Sequence, residues 1–389
     1  MPSDGANPSL VDAAQRRAAD RWFLAHGLPA VLRPGRLVRR LWSRSAPALA
    51  GFAVLMATSV VVVAVTGKHA VDIDGRPTRA EWFVLALLVL VLPVAAAVGW
   101  WVSRIVSQSG RLLASAGAVG VSVVGAVFGG PSSYLSSNLV LVAVSVAITL
   151  ALTASGVGSI LGWAAHVTLS HLAAAGSLLL RALPVLLLTI LVFFNSPVWL
   201  MAATVSRTRL WLALWFLGAV AVAFVVSVTV DRMRPMINAA EPDTRHVAKL
   251  DDTPFAGMPD PTEVKPLGRA ERLNVYFVLA VSQLAQILVV AVVTALLFFV
   301  LGLILLSPEL LAAWTRNGSS DGRFLGMTIP VPEALIQVTL FLGALTFMYV
   351  SARAVGDDAY RDRFVTPLID GLRLTLTARN RYRAAVPAR

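Results

Sequence analysis

Eight apolar runs, separated by short polar segments, leave this 389-residue chain few ways to fold. They cover about 46–66, 82–102, 112–129, 138–160, 182–203, 209–230, 273–306 and 332–352. A helix needs roughly 18–20 apolar residues to cross the hydrocarbon layer of a bilayer. Inside that layer every backbone N–H and C=O must be satisfied within the protein, which favours helices over open sheets. The composition agrees, with 57% hydrophobic and only 14% charged residues, where a soluble domain is about a quarter charged. A soluble core could produce one such run but not eight in order. The expected fold class is all-α, a polytopic membrane protein. Its third span, LLASAGAVGVSVVGAVFGG, is the shortest and is rich in glycine.

The distribution of basic residues orients the spans. Of 33 Lys and Arg residues, 26 fall in the segment before the first span, the 103–111 loop, Arg181, the 231–272 loop and the tail from Arg353. The other 7 are Lys68, Arg76, Arg79, Arg207, Arg209, Arg316 and Arg323. Basic loops stay in the cytoplasm, so both termini are expected there. This asymmetry accounts for the net charge of +12 without nucleic acid. The first apolar run follows a long basic segment, so it is expected to be a retained span rather than a cleaved signal. The absence of cysteine rules out disulfides, thiolate metal sites and cysteine nucleophiles.

Three polar regions flank the spans. In residues 1–45, Ser9-Leu-Val-Asp12 has the form of a capping box, and Leu10, Ala14, Ala18 and Trp22 recur at helical spacing. In the tail, residues 353–389, Tyr360, Phe364, Leu368 and Leu372 repeat every four residues between arginines. Each reads equally as an amphipathic helix on the anionic inner leaflet or as a helix packed on the protein's own loops. The 231–272 loop carries Pro235, Pro242, Pro254, Pro259, Pro261 and Pro266 among 7 basic and 8 acidic residues. That density of proline predicts irregular backbone.

Candidate site residues are few, because no carboxylate or lysine lies within a span and acidic residues such as Glu81 and Glu333 sit only at span margins. Ion-coupled carriers place ionisable groups in the membrane, so proton coupling is not expected. The polar residues left in the spans are Asn195, Ser282, Gln283, Gln286 and Gln337. Gln283 and Gln286 share a helix face and are expected to bond to neighbouring helices. In RALPVLLLTILVFFNSPVW, a span starting at Leu172 would put Arg181 near mid-membrane, at a cost of about 3 kcal/mol. A span over 182–203 lets Arg181 snorkel to the cytoplasmic face. Asn195 then lies about 20 Å away along the helix axis. Pro197 breaks the helix there, near the outer surface, with Trp199 by the outer headgroups.

Upstream, His166, Ser170, Ser177 and Arg181 fall within about 60° on a helical wheel. They line either a polar path or, as we expect, the cytoplasm-facing edge of an interfacial helix. His166 and His171 are five residues apart and do not share a face as the two histidines of HExxH do. The pairs Gly125-x-x-x-Gly129 and Gly158-x-x-x-Gly162 allow helices to approach closely. No HExxH, GxSxG or Walker A motif is present, and no nucleophile is paired with a base. Neither catalysis, a cofactor nor a metal is expected.

Three segments carry a resemblance: RALPVLLLTILVFFN (181–195), GRAERLNVYFVLAVSQLAQILVVAVV (268–293) and YVSARAVGDDAYRDRF (349–364). In these the chain resembles a family of uncharacterised Ala/Val/Leu-rich integral membrane proteins of actinobacteria. The resemblance implies a place in an actinobacterial plasma membrane and no particular activity. Where that family has an acidic residue soon after the FFN element, this chain has Ser196-Pro197, so any role of that carboxylate is absent here. The expected function is a non-enzymatic scaffold or accessory subunit of the envelope, with transport of a small or lipidic solute as the alternative. The expected partners are the bilayer with its anionic inner-leaflet lipids and a membrane protein, either another protein or a second copy.

Overall fold

The computed structural model describes residues 13–32, 34–38, 40–69, 71, 73, 77–170, 189–238, 248–259, 266–316, 321–324, 327–353 and 366–386. In chain order the helices are α1 (Ala13–Ala25), α2 (Pro34–Val38), α3 (Leu41–Thr66), α4 (Arg79–Ser103), α5 (Gln108–Phe128), α6 (Leu135–Ala154) and α7 (Val157–Ser170). They continue with α8 (Ser196–Thr204), α9 (Arg207–Asn238), α10 (Arg269–Leu305), α11 (Pro308–Thr315), α12 (Glu333–Arg353) and α13 (Thr366–Ala385). An antiparallel hairpin of β1 (Asp321–Phe324) and β2 (Met327–Pro332) precedes α12. Among the described residues seven helices are long and apolar enough to cross a membrane: α3, α4, α5, α6, α9, α10 and α12. The protein is an all-α polytopic membrane protein.

Local chemistry explains where these helices start and stop. Thr78 and Glu81 form a reciprocal capping box at the start of α4, with Thr78 N–H donating to Glu81 Oε2 at 2.7 Å. Gly67 adopts φ +67° and ends α3, its N–H donating to Val63 O at 2.7 Å. The glycine-rich third span forms the full 21-residue α5. The expected span 138–160 is shorter than predicted, because α6 ends at Ala154 and α7 begins at Val157. Gly156 makes the break, with φ +79° and with Pro29 so close that a Cβ would meet it at 2.5 Å. The expected span 182–203 is described only from residue 189. There the helix stops before Asn195 and restarts as α8.

The first four long helices form one group, with α3 against α4, α5 and α6. Glycines set the approach: a Cβ on Gly125 would lie 2.7 Å from Met56 Cβ, and one on Gly129 would lie 2.7 Å from the Val60 nitrogen. On the other side of α3, a Cβ on Gly99 would lie 3.0 Å from Pro47 O. The second predicted pair takes no part in helix packing, since Gly162 faces open space and Gly158 meets only the end of α6. The second group is α9, α10 and α12, with α8 on α12 and α7 on α10. At the hairpin end the loop after α3 joins this second group, where Ile73 N–H donates to Thr328 O at 3.0 Å.

At the opposite end α1, residues 248–258, the start of α10 and α13 enclose a separate apolar core. Phe23, Leu250 and Phe255 are fully buried there. The apolar faces of both terminal helices are thus covered by the chain itself. Leu368 and Leu372 lie in this core as their spacing predicts. The α1 face is turned from the prediction: Ala19 and Phe23 are buried, while Ala14 is exposed. Aromatic packing decides this, because Trp22 stacks on His26 at 3.7 Å and meets Phe255 edge-on at 5.0 Å. The proline-rich segment 231–272 departs from the expected irregular loop where it is described: α9 runs through Pro235 to Asn238 and α10 begins at Arg269, while between them the Pro254 carbonyl accepts from Gln15 Nε2 at 3.0 Å.

Candidate functional site

The residues singled out from sequence do not converge. Asn195 is exposed at the helix break, its carbonyl accepting from Val198 N–H at 2.9 Å and its side chain capping nothing. His166 is exposed on α7. Gln283 and Gln286 are buried on α10, where Gln283 Nε2 donates to Thr229 Oγ1 of α9 at 3.3 Å. Gln286 Oε1 has no partner. Ser282 turns back on its own helix, donating to Val278 O at 2.7 Å. Arg181, Ser177 and His171 lie outside the described residues, so the stripe reaching from His166 is described only at its start.

The break at Asn195-Ser196-Pro197 is a packed knot. Trp199 is fully buried against the protein. Its Nε1–H donates to Phe193 O at 2.5 Å, satisfying a carbonyl freed where the helix stops. The Trp199 and Phe193 ring centres are 5.3 Å apart, edge to face, and Phe298 and Trp314 close the cluster at 5.3 and 5.7 Å. This places the break at the hairpin end of α10, away from the middle of that helix.

The charged groups that do come together are ones the sequence reading passed over. Glu271, in the first turn of α10, is 2% exposed. It accepts from Arg379 Nε at 3.2 Å and Arg379 Nη2 at 2.8 Å, from Arg383 Nη2 at 2.7 Å, and from the backbone of Gly268 at 2.9 Å. Arg379 is 1% exposed and also donates to Asn380 Oδ1 and to Pro266 O. One turn on, Tyr382 donates to Asp20 Oδ1 of α1 at 3.1 Å. Arg379 and Arg383 are four apart and so share a face of α13. A carboxylate has about four lone-pair positions, and four donors fill them. Glu271 therefore serves as a clamp joining α10 to α13.

A second charged network lies at the hairpin end. Arg207 of α9 forms a two-pronged ion pair with Glu333 of α12, at 2.7 Å on each prong, and also donates to Arg323 O. Glu333 further accepts from Arg323 N–H at 3.0 Å and from Gln337 Nε2 at 3.1 Å. Fixing the Gln337 amide nitrogen on Glu333 leaves its Oε1 buried without a partner. Of the four residues meeting here, sequence reading singled out Gln337 as a polar span residue and Glu333 as a marginal acid, and assigned Arg207 and Arg323 only to loops. The i, i+4 spacing of Glu333 and Gln337 was the available signal.

Buried oxygens without partners also mark the spans of the second group: Gln286 Oε1 and Thr294 Oγ1 on α10, Thr346 Oγ1 and Ser351 Oγ on α12. Among the described residues no three His, Asp or Glu side chains gather as metal ligands. Comparison with protein-family models, curated proteins and solved structures returns no match.

Proposed function

We propose that this protein is a non-enzymatic scaffold or accessory subunit of the cell envelope, lying in the plasma membrane with both termini in the cytoplasm. The observation that supports this reading is the terminal module. Sequence-distant segments (α1, residues 248–258 and α13) fold together on the end of α10, and Glu271 clamps α13 to it. Such a module gives a membrane-anchored chain a stable polar surface for protein contacts, and the exposed α1 residues Arg17 and Arg21 belong to it. The excess of basic residues in the flanking segments supports the orientation.

Photo-crosslinkers at positions 17 and 21, in intact cells, test this. The expected result is one discrete adduct, with a membrane protein or a second copy, that disappears in Glu271→Gln while the protein remains in the membrane. Absence of any discrete adduct from either position would overturn it. A second reading, transport of a small or lipidic solute, draws on the unpartnered oxygens of Gln286, Thr294, Thr346 and Ser351, since polar groups buried in a span are costly unless they serve a path. Solute flux into proteoliposomes that is lost in Gln286→Leu would favour it.

A further inference from the structure

The ends of α3, α4 and α5 that lie away from the hairpin carry positive charge with no carboxylate nearby in sequence to balance it. No Asp or Glu occurs between Asp20 and Asp72, or between Glu81 and Asp231. Arg40 directly precedes α3 and Arg44 stands in its first turn, while Arg104 follows α4 and Arg111 stands in the first turn of α5. Helix packing brings these four to one height. Gly51 against Ala95 and Gly99 against Pro47 set α3 and α4 antiparallel, and the same register carried on puts Arg104 level with Trp42. Gly125 against Met56 and Gly129 against Val60 set α3 and α5 parallel, which puts Arg111 level with Trp42 as well. Arg40 and Arg44 each lie two residues from Trp42, about 3 Å along the helix axis.

Two of these side chains are held and two are free. Arg44 Nη1 donates to Leu37 O at 2.6 Å, and Arg111 donates to Ile105 O and Ser103 O, each at 2.7 Å. All three acceptors are neutral carbonyls, so both arginines keep their full charge. Arg40 and Arg104 are exposed, and neither guanidinium makes a hydrogen bond or ion pair with another described residue. Arg104 is nonetheless fixed in place, its guanidinium carbon 3.8 Å from the centre of the Trp100 ring. Trp42, Trp100 and Trp101 are exposed at the same ends. All three helices are candidate spans, and exposed tryptophan at the end of a span marks the headgroup layer. The free guanidiniums therefore stand at the height of lipid phosphates.

We propose that this end of α3, α4 and α5 binds the headgroup of an anionic phospholipid that carries two phosphates, one on Arg40 and the other on Arg104, with Arg44 and Arg111 adding their charge. Basic clusters between the ends of spans suit such headgroups, and the forked donors of arginine match phosphate oxygens. A lipid is favoured over a soluble phosphate because exposed tryptophans border the cluster. The terminal helices bury their apolar faces in their own module, so lipid recognition falls to these span ends instead. The inference is independent of the scaffold reading and holds whether or not a protein partner exists.

Native mass spectrometry of the delipidated full chain in detergent tests it, with cardiolipin, phosphatidylglycerol, phosphatidylcholine and free glycerol phosphate as probes. The expected result is cardiolipin bound about tenfold or more tighter than phosphatidylcholine, with phosphatidylglycerol between them and no binding of glycerol phosphate. Arg40→Gln and Arg104→Gln, both at exposed positions and expected to fold, should each weaken cardiolipin binding about fivefold. Arg209→Gln, which removes an exposed arginine at the hairpin end, should leave that binding unchanged. Equal affinity of the wild type for cardiolipin and either one-phosphate lipid would overturn the proposal. So would unchanged cardiolipin binding when Arg40 and Arg104 are both replaced, an equal loss in Arg209→Gln, or glycerol phosphate bound as tightly as cardiolipin.

Discussion

A buried carboxylate that accepts from two arginines and a backbone N–H is more costly to disrupt than an exposed ion pair. Taking away Glu271 removes the carboxylate paired with Arg379, a buried guanidinium, and breaking such a pair from one side costs about 3–5 kcal/mol. Glu271→Gln and Arg379→Met are each expected to lower the unfolding midpoint substantially, and the double variant to lose less than their sum. Arg383 is 42% exposed at its side chain, so Arg383→Ala should cost about 0–1 kcal/mol. A thermal or denaturant melt of the purified protein distinguishes these three outcomes.

His26 gives the terminal module a pH dependence of definite sign. Burial against Trp22 pushes its pKa below the usual histidine value, only partly offset by its Nδ1 bond to the Trp22 carbonyl at 2.8 Å. The folded state therefore resists protonation, and below about pH 6.5, the ordinary histidine pKa, the unfolded chain binds more protons. Stability is expected to be level above that value and to fall as pH drops toward the folded pKa. His26→Phe keeps the stacked ring and should flatten the profile between pH 5 and 7. An unchanged slope in that variant would assign the acid sensitivity elsewhere.

Helices in this protein meet through glycine where backbones touch and through side chains elsewhere. Gly125 and Gly129 stand in direct contact with α3, whereas Gly162 faces open space. Gly129→Val is expected to force α3 and α5 apart, at a cost of about 1–3 kcal/mol or more, while Gly162→Val should be nearly neutral. Comparing the melting temperatures of the two checks this. The sequence motif alone could not separate these pairs, since each has the same spacing and an apolar setting. What distinguishes them is which helix lies opposite. Hydropathy placed seven long helices well, because a bilayer imposes one period and one length on all of them. It ran α6 into α7, because the turn at Gly156 is set by Pro29, more than a hundred residues upstream.

On the scale of the whole molecule, the parts that hold the structure together are the least visible in sequence. Glu271 and Arg379 are 108 residues apart, and Tyr382 and Asp20 are 362 apart, so no local period joins them. The spans announce themselves as apolar runs, but the terminal module is assembled from short pieces whose patterns are ambiguous one by one. On α1 the alanines blur the apolar stripe, and the face was settled by Trp22 and Phe23 finding Phe255.

The joining of α1 to α13 also fixes an order of events during synthesis. Helix α1 emerges from the ribosome early, with Phe23 and no surface to bury it against, and Glu271 enters its helix before any arginine is available to meet it. Phe23 finds Phe255 once residues 248–258 have been made, but its contact with Tyr382 and the arginines of Glu271 come only with Thr366–Ala385. A chain whose translation stops after α12 would carry a half-covered aromatic cluster and a Glu271 carboxylate without its arginines, the kind of surface that attracts chaperones and proteases.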